Sequence, residues 1–192
     1  MKLNFKNRVR NFKFSVSDIF VPLFEAIMNS MQSIEETKKL QDKYIKINVE
    51  RDNYRIGGFV SGIFGIEIID NGIGFTEHNY ESFCTSDSDY KVEIGGKGVG
   101  RINWLKAFEY VKVNSTYSEN GKTLNRTFDF NIEDEIHNET LFEVSNNEEL
   151  VTRIKLIDLK DGSNYLFKPV WVERYKVAYY DENNEEITHN YY

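Results

Sequence analysis

Between residues 17 and about 39, the positions Ile19, Leu23, Ala26, Ile27, Ser30 and Ile34 recur at three- and four-residue steps. That period places them on one face of an α-helix, with Ser17 as a suitable N-cap. Pro22 removes a ladder hydrogen bond unless the regular helix starts close to it, so the pattern predicts an irregular or kinked first turn. Tyr44 to Glu50 alternates with period two, and a loop containing Gly57, Gly58, Gly62 and Gly65 leads to the apolar run Ile66 to Ile69. These predict two adjacent antiparallel strands, the second central. Thr76 to Phe83 predicts a short helix capped by Thr76 with Glu77 in its first turn. Thr85 to Lys97 is polar and glycine-containing, the composition of a loop. A helix over 99–108 follows, carrying Ile102, Leu105 and Ala107 inward. Tyr110 to Tyr117 and Thr123 to Phe130 flank Glu119-Asn120-Gly121-Lys122, a strong hairpin signal. Glu139 to Val144 and Thr152 to Leu159 supply further strands. Helices early and strands late predict an α/β fold: a two-layer sandwich with helices packed on one face of a mixed, largely antiparallel sheet.

Fourteen Phe, twelve Tyr and only two Pro suit a sheet-rich core. At 192 residues the chain is expected to be a single domain over 1–192 with one buried core, its motif-bearing part running from about 15 to 159 and the polar stretch 181–192 frayed. The net charge of −7 argues against a broad basic face, so direct nucleic-acid binding by this domain is not expected. The N-terminal MKLNFKNRVRNFKFS has no sustained apolar core, and the longest uncharged stretch, Ile56 to Ile66, is about half a membrane span. No membrane segment is expected. Cys84 is the single cysteine and only His78, His137 and His189 could join it, which excludes an internal disulfide and argues against a metal cluster. A cytoplasmic setting fits.

Three short segments carry candidate chemistry. Glu25 and Asn29, four residues apart on the first helix, project from one face about a turn, or roughly 6 Å, apart. A carboxylate there can orient and deprotonate water, and an amide oxygen can complete the shell of a Mg²⁺ held otherwise by waters and phosphates. Asp70 ends an apolar strand and is followed by Gly72 and Gly74, a turn whose backbone can pass close to a ligand while the carboxylate accepts a hydrogen bond. Gly96, Gly98 and Gly100, with Lys97 and Val99 between them, precede a helix whose N-terminal N–H groups favour phosphate. The run is not a P-loop, because Gly98 follows Lys97 where Ser or Thr is required, and its G-x-G-x-G spacing is not the dinucleotide fingerprint. Taken singly, the three patterns are also ordinary surface helix, turn and connector chemistry. Their order and contexts together are not.

In that order the segments resemble the N-box, the D-x-G-x-G motif and the glycine-rich lid of the GHKL superfamily of gyrase-type, heat-shock chaperone, histidine kinase and MutL-like proteins. The resemblance implies a Bergerat, histidine-kinase-like ATPase fold that binds ATP with Mg²⁺. It implies Glu25 as general base, Asn29 as metal ligand, Asp70 as adenine reader, Gly72 and Gly74 as a close-approach turn, and Gly96 to Gly100 around the phosphates. Val151-Thr152 resembles the family's last motif with Val in place of Gly, which implies Thr152 near Asp70 and the adenine; Lys97 and Arg101 are suggested by charge and position. The acidic residue four before Asn29 resembles the hydrolysing branches. Slow ATP hydrolysis used as a switch or clamp is therefore the leading expectation, ahead of a non-hydrolysing nucleotide-binding regulatory module and a histidine-kinase-like phosphotransfer domain. The resemblance also implies an ATP-dependent homodimer; the response would come either from a downstream domain, with this chain then a fragment of a longer protein, or from a partner protein.

Overall fold

The computed structural model describes residues 5–11, 13, 18, 20–37, 42–51, 63–85, 100–160, 177–180 and 186–189. Its main element is a six-stranded sheet of β1 (Ile45–Arg51), β2 (Ile63–Asp70), β3 (Phe108–Glu119), β4 (Lys122–Asn131), β5 (Glu135–Glu143) and β6 (Val151–Leu159), in the order β1-β2-β6-β3-β4-β5. Every ladder in it is antiparallel. The helices are α1 (Phe5–Asn11), α2 (Val21–Glu36), α3 (Glu77–Thr85) and α4 (Gly100–Ala107), and only α2 exceeds nine residues. This corrects the expected two-layer sandwich of helices on a mixed sheet. Strand residues outnumber helical ones among the described residues, no parallel pair occurs, and the fold is sheet-rich with few, mostly short helices. The physical reason is that no described β-α-β crossover links neighbouring strands, so antiparallel pairing through a hairpin and longer returns sets the architecture.

The local chemistry explains most boundaries. Helix α2 starts at Val21, with Pro22 in its first turn, where the missing N–H costs nothing. It is thus shorter than the 17–39 window, and Ser17 lies outside the described residues. Pro22, Ala26 and Ser30 are buried, and the Trp104 indole N–H donates to the Pro22 carbonyl at 3.1 Å, tying α2 to α4. Thr76 caps α3 as its position suggests: its hydroxyl accepts the Asn79 N–H at 3.3 Å. Asn120 and Gly121 both take positive φ (51° and 78°), the turn that matches the right-handed twist of β3 and β4. Helix α1 was not expected from the basic N-terminus; it forms because Phe5 and Val9 are buried in the core, Phe5 with its ring 5.6 Å from that of Phe130. Glu186–His189 pairs with Val177–Tyr180 in a separate two-stranded ladder, within the stretch expected to fray. The predicted loop over 85–97 lies almost wholly outside the described residues.

The core gathers around Ile68, Trp104, Leu105, Val111, Phe128 and Leu156. Arg101 is also inside it. Its guanidinium lies 5.3 Å from the Phe83 ring centroid and within about 6 Å of Phe5 and Phe130, and it donates to the Phe83 carbonyl. Charge and position suggested a phosphate ligand; the side chain instead braces α4 against α1 and α3.

Candidate functional site

At one end of the sheet, three central strands place polar side chains side by side on the face that carries the core. Asp70 on β2 stands opposite Thr152 on β6, and Thr152 stands opposite Ser115 on β3. All three are buried, with Asp70 at 2% exposure. Buried polar groups must find partners, and these do. The Ser115 and Thr152 hydroxyls are 2.8 Å apart, and Ser115 Oγ also accepts the Phe75 N–H at 3.0 Å. Asp70 Oδ2 accepts the Ser30 hydroxyl at 2.7 Å, while Oδ1 accepts the Gly72 N–H at 2.9 Å.

The turn after Asp70 is packed too closely for side chains. A Cβ added at Gly72 would lie 2.2 Å from Ser33 Oγ and 2.8 Å from the Ile34 backbone nitrogen. Gly74 has φ +80°, and a Cβ there would lie 2.7 Å from Tyr117 Cβ and 2.9 Å from Ser115 Oγ. Asn79 Nδ2 donates to the Gly74 carbonyl at 2.9 Å, and the Ile73 N–H donates to the Ser33 carbonyl at 3.0 Å. Arg126, buried on β4, stacks on Tyr80 at 4.2 Å, bonds Glu77 and points Nη1 at the Phe75 and Thr76 carbonyls. The turn is held from α2, α3, β3 and β4 before any ligand arrives.

Burial pushes the Asp70 carboxyl above the ordinary carboxylate range, opposed by the hydrogen bonds from Ser30, Gly72 and Ser33. The Ser30 and Gly72 donors leave about two of the carboxylate's roughly four lone-pair sites for other donors. Glu25 is half-buried on α2 and its pKa is likewise raised by burial. Its Oε2 lies 2.6 Å from where a Cβ at Gly100 would stand, so the glycine that opens α4 makes room for this carboxylate. Asn29 is exposed one turn further along the same helix. It offers one amide oxygen, a suitable ligand for a Mg²⁺ completed by phosphate oxygens and waters. No group of three or more His, Cys, Asp or Glu capable of holding a metal occurs among the described residues.

The structure therefore brings Asp70, Gly72, Gly74 and Thr152 together, and Glu25 next to Gly100. Gly96, Lys97, Gly98 and Val99 lie outside the described residues. Sequence reasoning missed Ser30, Ser33, Ser115 and Arg126 as members of the site. Ser30 carried a usable signal, a hydroxyl on the inward stripe of a helix, which demands a buried acceptor. Two depressions in the described surface, of about 490 and 230 Å³, share Lys112 and Asp129 on the opposite face of the sheet and include none of these residues. Geometry and donor chemistry, not concavity of the described surface, single out the Asp70 region. No helix among the described residues is long and apolar enough to cross a membrane.

No family model matches the chain, and no curated protein matches it. Among solved structures, a crystal structure of the N-terminal domain of a DNA repair protein is similar to it at 18% identity and a TM-score of 0.50. The match covers 81% of this chain and 38% of that one. At that identity the similarity concerns the fold alone, and the chain spans well under half the length of that structure.

Proposed function

We propose that this chain binds Mg·ATP in the manner of the GHKL superfamily and hydrolyses it slowly. The observation that carries the reading is a buried carboxylate, Asp70, oriented by Ser30 and Gly72 and set beside Thr152, while the same helix that supplies Ser30 also presents Glu25 and Asn29. An oriented, buried acceptor with lone pairs to spare suits the exocyclic amine of adenine. Gly72 and Gly74 keep side chains out of the backbone's approach to the base. Asn29 would hold the Mg²⁺, which when bound neutralises charge on the phosphates.

Glu25 is the group for the chemical step. Its raised pKa makes the ionised carboxylate a better proton acceptor near neutral pH than an ordinary glutamate. It takes a proton from water as the water oxygen bonds to the γ-phosphorus and the bond from that phosphorus to the β,γ-bridging oxygen breaks, releasing ADP and phosphate. Backbone N–H groups at the start of α4 would stabilise the charge that develops on the phosphate.

A pair of variants tests the proposal. Calorimetric titration with ATP and Mg²⁺ comes first, then the same titration and a phosphate-release assay on Asp70→Asn and Glu25→Ala. The expected result is binding weakened roughly 10- to 100-fold in the first and retained binding with abolished release in the second. Binding without release in the unaltered chain would favour a regulatory nucleotide-binding module, and unchanged release from Glu25→Ala would overturn the enzyme reading.

A further inference from the structure

Helix α2 buries small side chains and exposes large ones. Pro22, Ala26 and Ser30 are buried, whereas Phe24, Met28 and Met31 are 60%, 50% and 43% exposed. At 3.6 residues per turn the second set is centred about 170° around the helix from the first. An ordinary surface helix turns its large apolar side chains toward the core. Here the described elements hold α2 from its other side: Trp104 of α4 donates to the Pro22 carbonyl, Ser30 bonds Asp70 at the end of β2, and Gly72 packs on Ser33. Phe24, Met28 and Met31 stand at i, i+4 and i+7, and the Phe20 ring, one turn earlier, lies 6.4 Å from that of Phe24. Apolar residues exposed singly are normal; a contiguous row marks a contact surface. One turn beyond Met31 the row ends in Glu35, which is exposed.

We propose that this outer row of α2 is a docking surface for a basic amphipathic helix of a partner protein. The i, i+4, i+7 spacing is the one by which a helix presents anchors to an opposing apolar row. Methionine at two of the three positions supplies flexible, polarisable surface that fits itself to such a row. The three side chains expose on the order of 300 Å². That falls well short of the roughly 800 Å² per partner of a stable interface between folded domains and is the scale of one helix face. Charge then selects the helix. Residues 21–36 contain Glu25, Glu35 and Glu36 and neither Lys nor Arg. Glu35 and Glu36 are exposed in the last turn, where the helix dipole adds to their negative field, and Lys43 reaches that end only through the Ile34 carbonyl, at 3.0 Å. A second copy of α2 would bring three more carboxylates and no cation. Lysines or arginines beside a partner's apolar row would instead meet both the carboxylates and the dipole.

The surface does not depend on the ATP reading, so the full chain without nucleotide tests it. The probe is a synthetic helical peptide with leucine at i, i+3, i+4 and i+7 and lysine at the flanking positions, set against the same peptide with glutamate in place of lysine. By fluorescence anisotropy of the labelled peptides, the lysine-flanked one should bind saturably and the glutamate-flanked one about tenfold more weakly. Met28→Lys and Met31→Lys, both at exposed positions, should each abolish binding of the lysine-flanked peptide with the unfolding midpoint unchanged. Glu35→Lys should narrow or reverse the preference between the two peptides. No binding of the lysine-flanked peptide, equal affinity for both peptides, or binding that survives both methionine variants would each overturn the proposal. So would a parent chain that sediments at twice 22.6 kDa and becomes monomeric in Met28→Lys, since a second copy would then occupy the row.

Discussion

Gly74→Ala is expected to be among the most damaging single-methyl additions to this protein. The residue adopts φ +80°, where an L side chain costs about 1–2 kcal/mol. The new Cβ would also stand 2.7 Å from Tyr117 Cβ, an atom fixed to the β3 backbone, and 2.9 Å from Ser115 Oγ. Neither neighbour can swing away, since Tyr117 is 1% exposed and Ser115 is bonded to both Thr152 and the Phe75 N–H. Overpacking of this kind adds about 1–3 kcal/mol, for a total of about 2–5 kcal/mol against a typical domain stability of about 5–15. Gly121→Ala supplies the internal control. That residue has nearly the same φ, +78°, but nothing lies within 4 Å of its added Cβ, so only the backbone cost of about 1–2 kcal/mol applies. Urea unfolding of both variants, followed by the fluorescence of buried Trp104, isolates the crowding as the difference between them. Equal losses would refute the claim that the Asp70 turn is clamped against β3.

Asp70→Asn should weaken ATP binding by about 1.5–3 kcal/mol, roughly 10- to 100-fold, yet leave the fold as stable or more stable at neutral pH. The sign follows from the raised pKa of Asp70: its contribution to stability is fully present below the ordinary aspartate range and is lost as pH rises through the elevated folded value. Melting temperatures against pH for parent and variant should therefore diverge on the alkaline side of that range, the variant losing less. Ser30→Ala removes the 2.7 Å bond to Asp70 Oδ2; a loss of about 1–3 kcal/mol is expected by urea titration, together with a further upward shift of the Asp70 pKa by NMR titration. Trp104→Phe keeps an aromatic ring but leaves the Pro22 carbonyl without its indole donor, which should cost about 1–3 kcal/mol in the same assay and speed hydrogen exchange in the first turn of α2.

Much of this molecule is legible along the chain because short-range physics decides it. The three-and-four spacing of Leu23, Ala26, Ile27, Ser30 and Ile34 announces α2, the Asn120-Gly121 turn announces the β3–β4 hairpin, and Thr76 announces the start of α3. The order of Glu25, Asn29, Asp70 and the two glycines after it also marks the candidate site, since each residue type answers a local chemical need. The layer architecture did not follow from the same signals. Periodicity tells which face of a strand is buried but not which strand lies beside it, and the wholly antiparallel order β1-β2-β6-β3-β4-β5 depends on pairings between residues some 80 positions apart, such as Asp70 with Thr152. For the same reason Ser115 and Arg126 could not be assigned to the site from the sequence. Arg101 shows the limit most directly: as a cation after a glycine loop it suggested a phosphate ligand, and only packing against Phe5, Phe83 and Phe130, from three separate elements, decided that its charge points into the core.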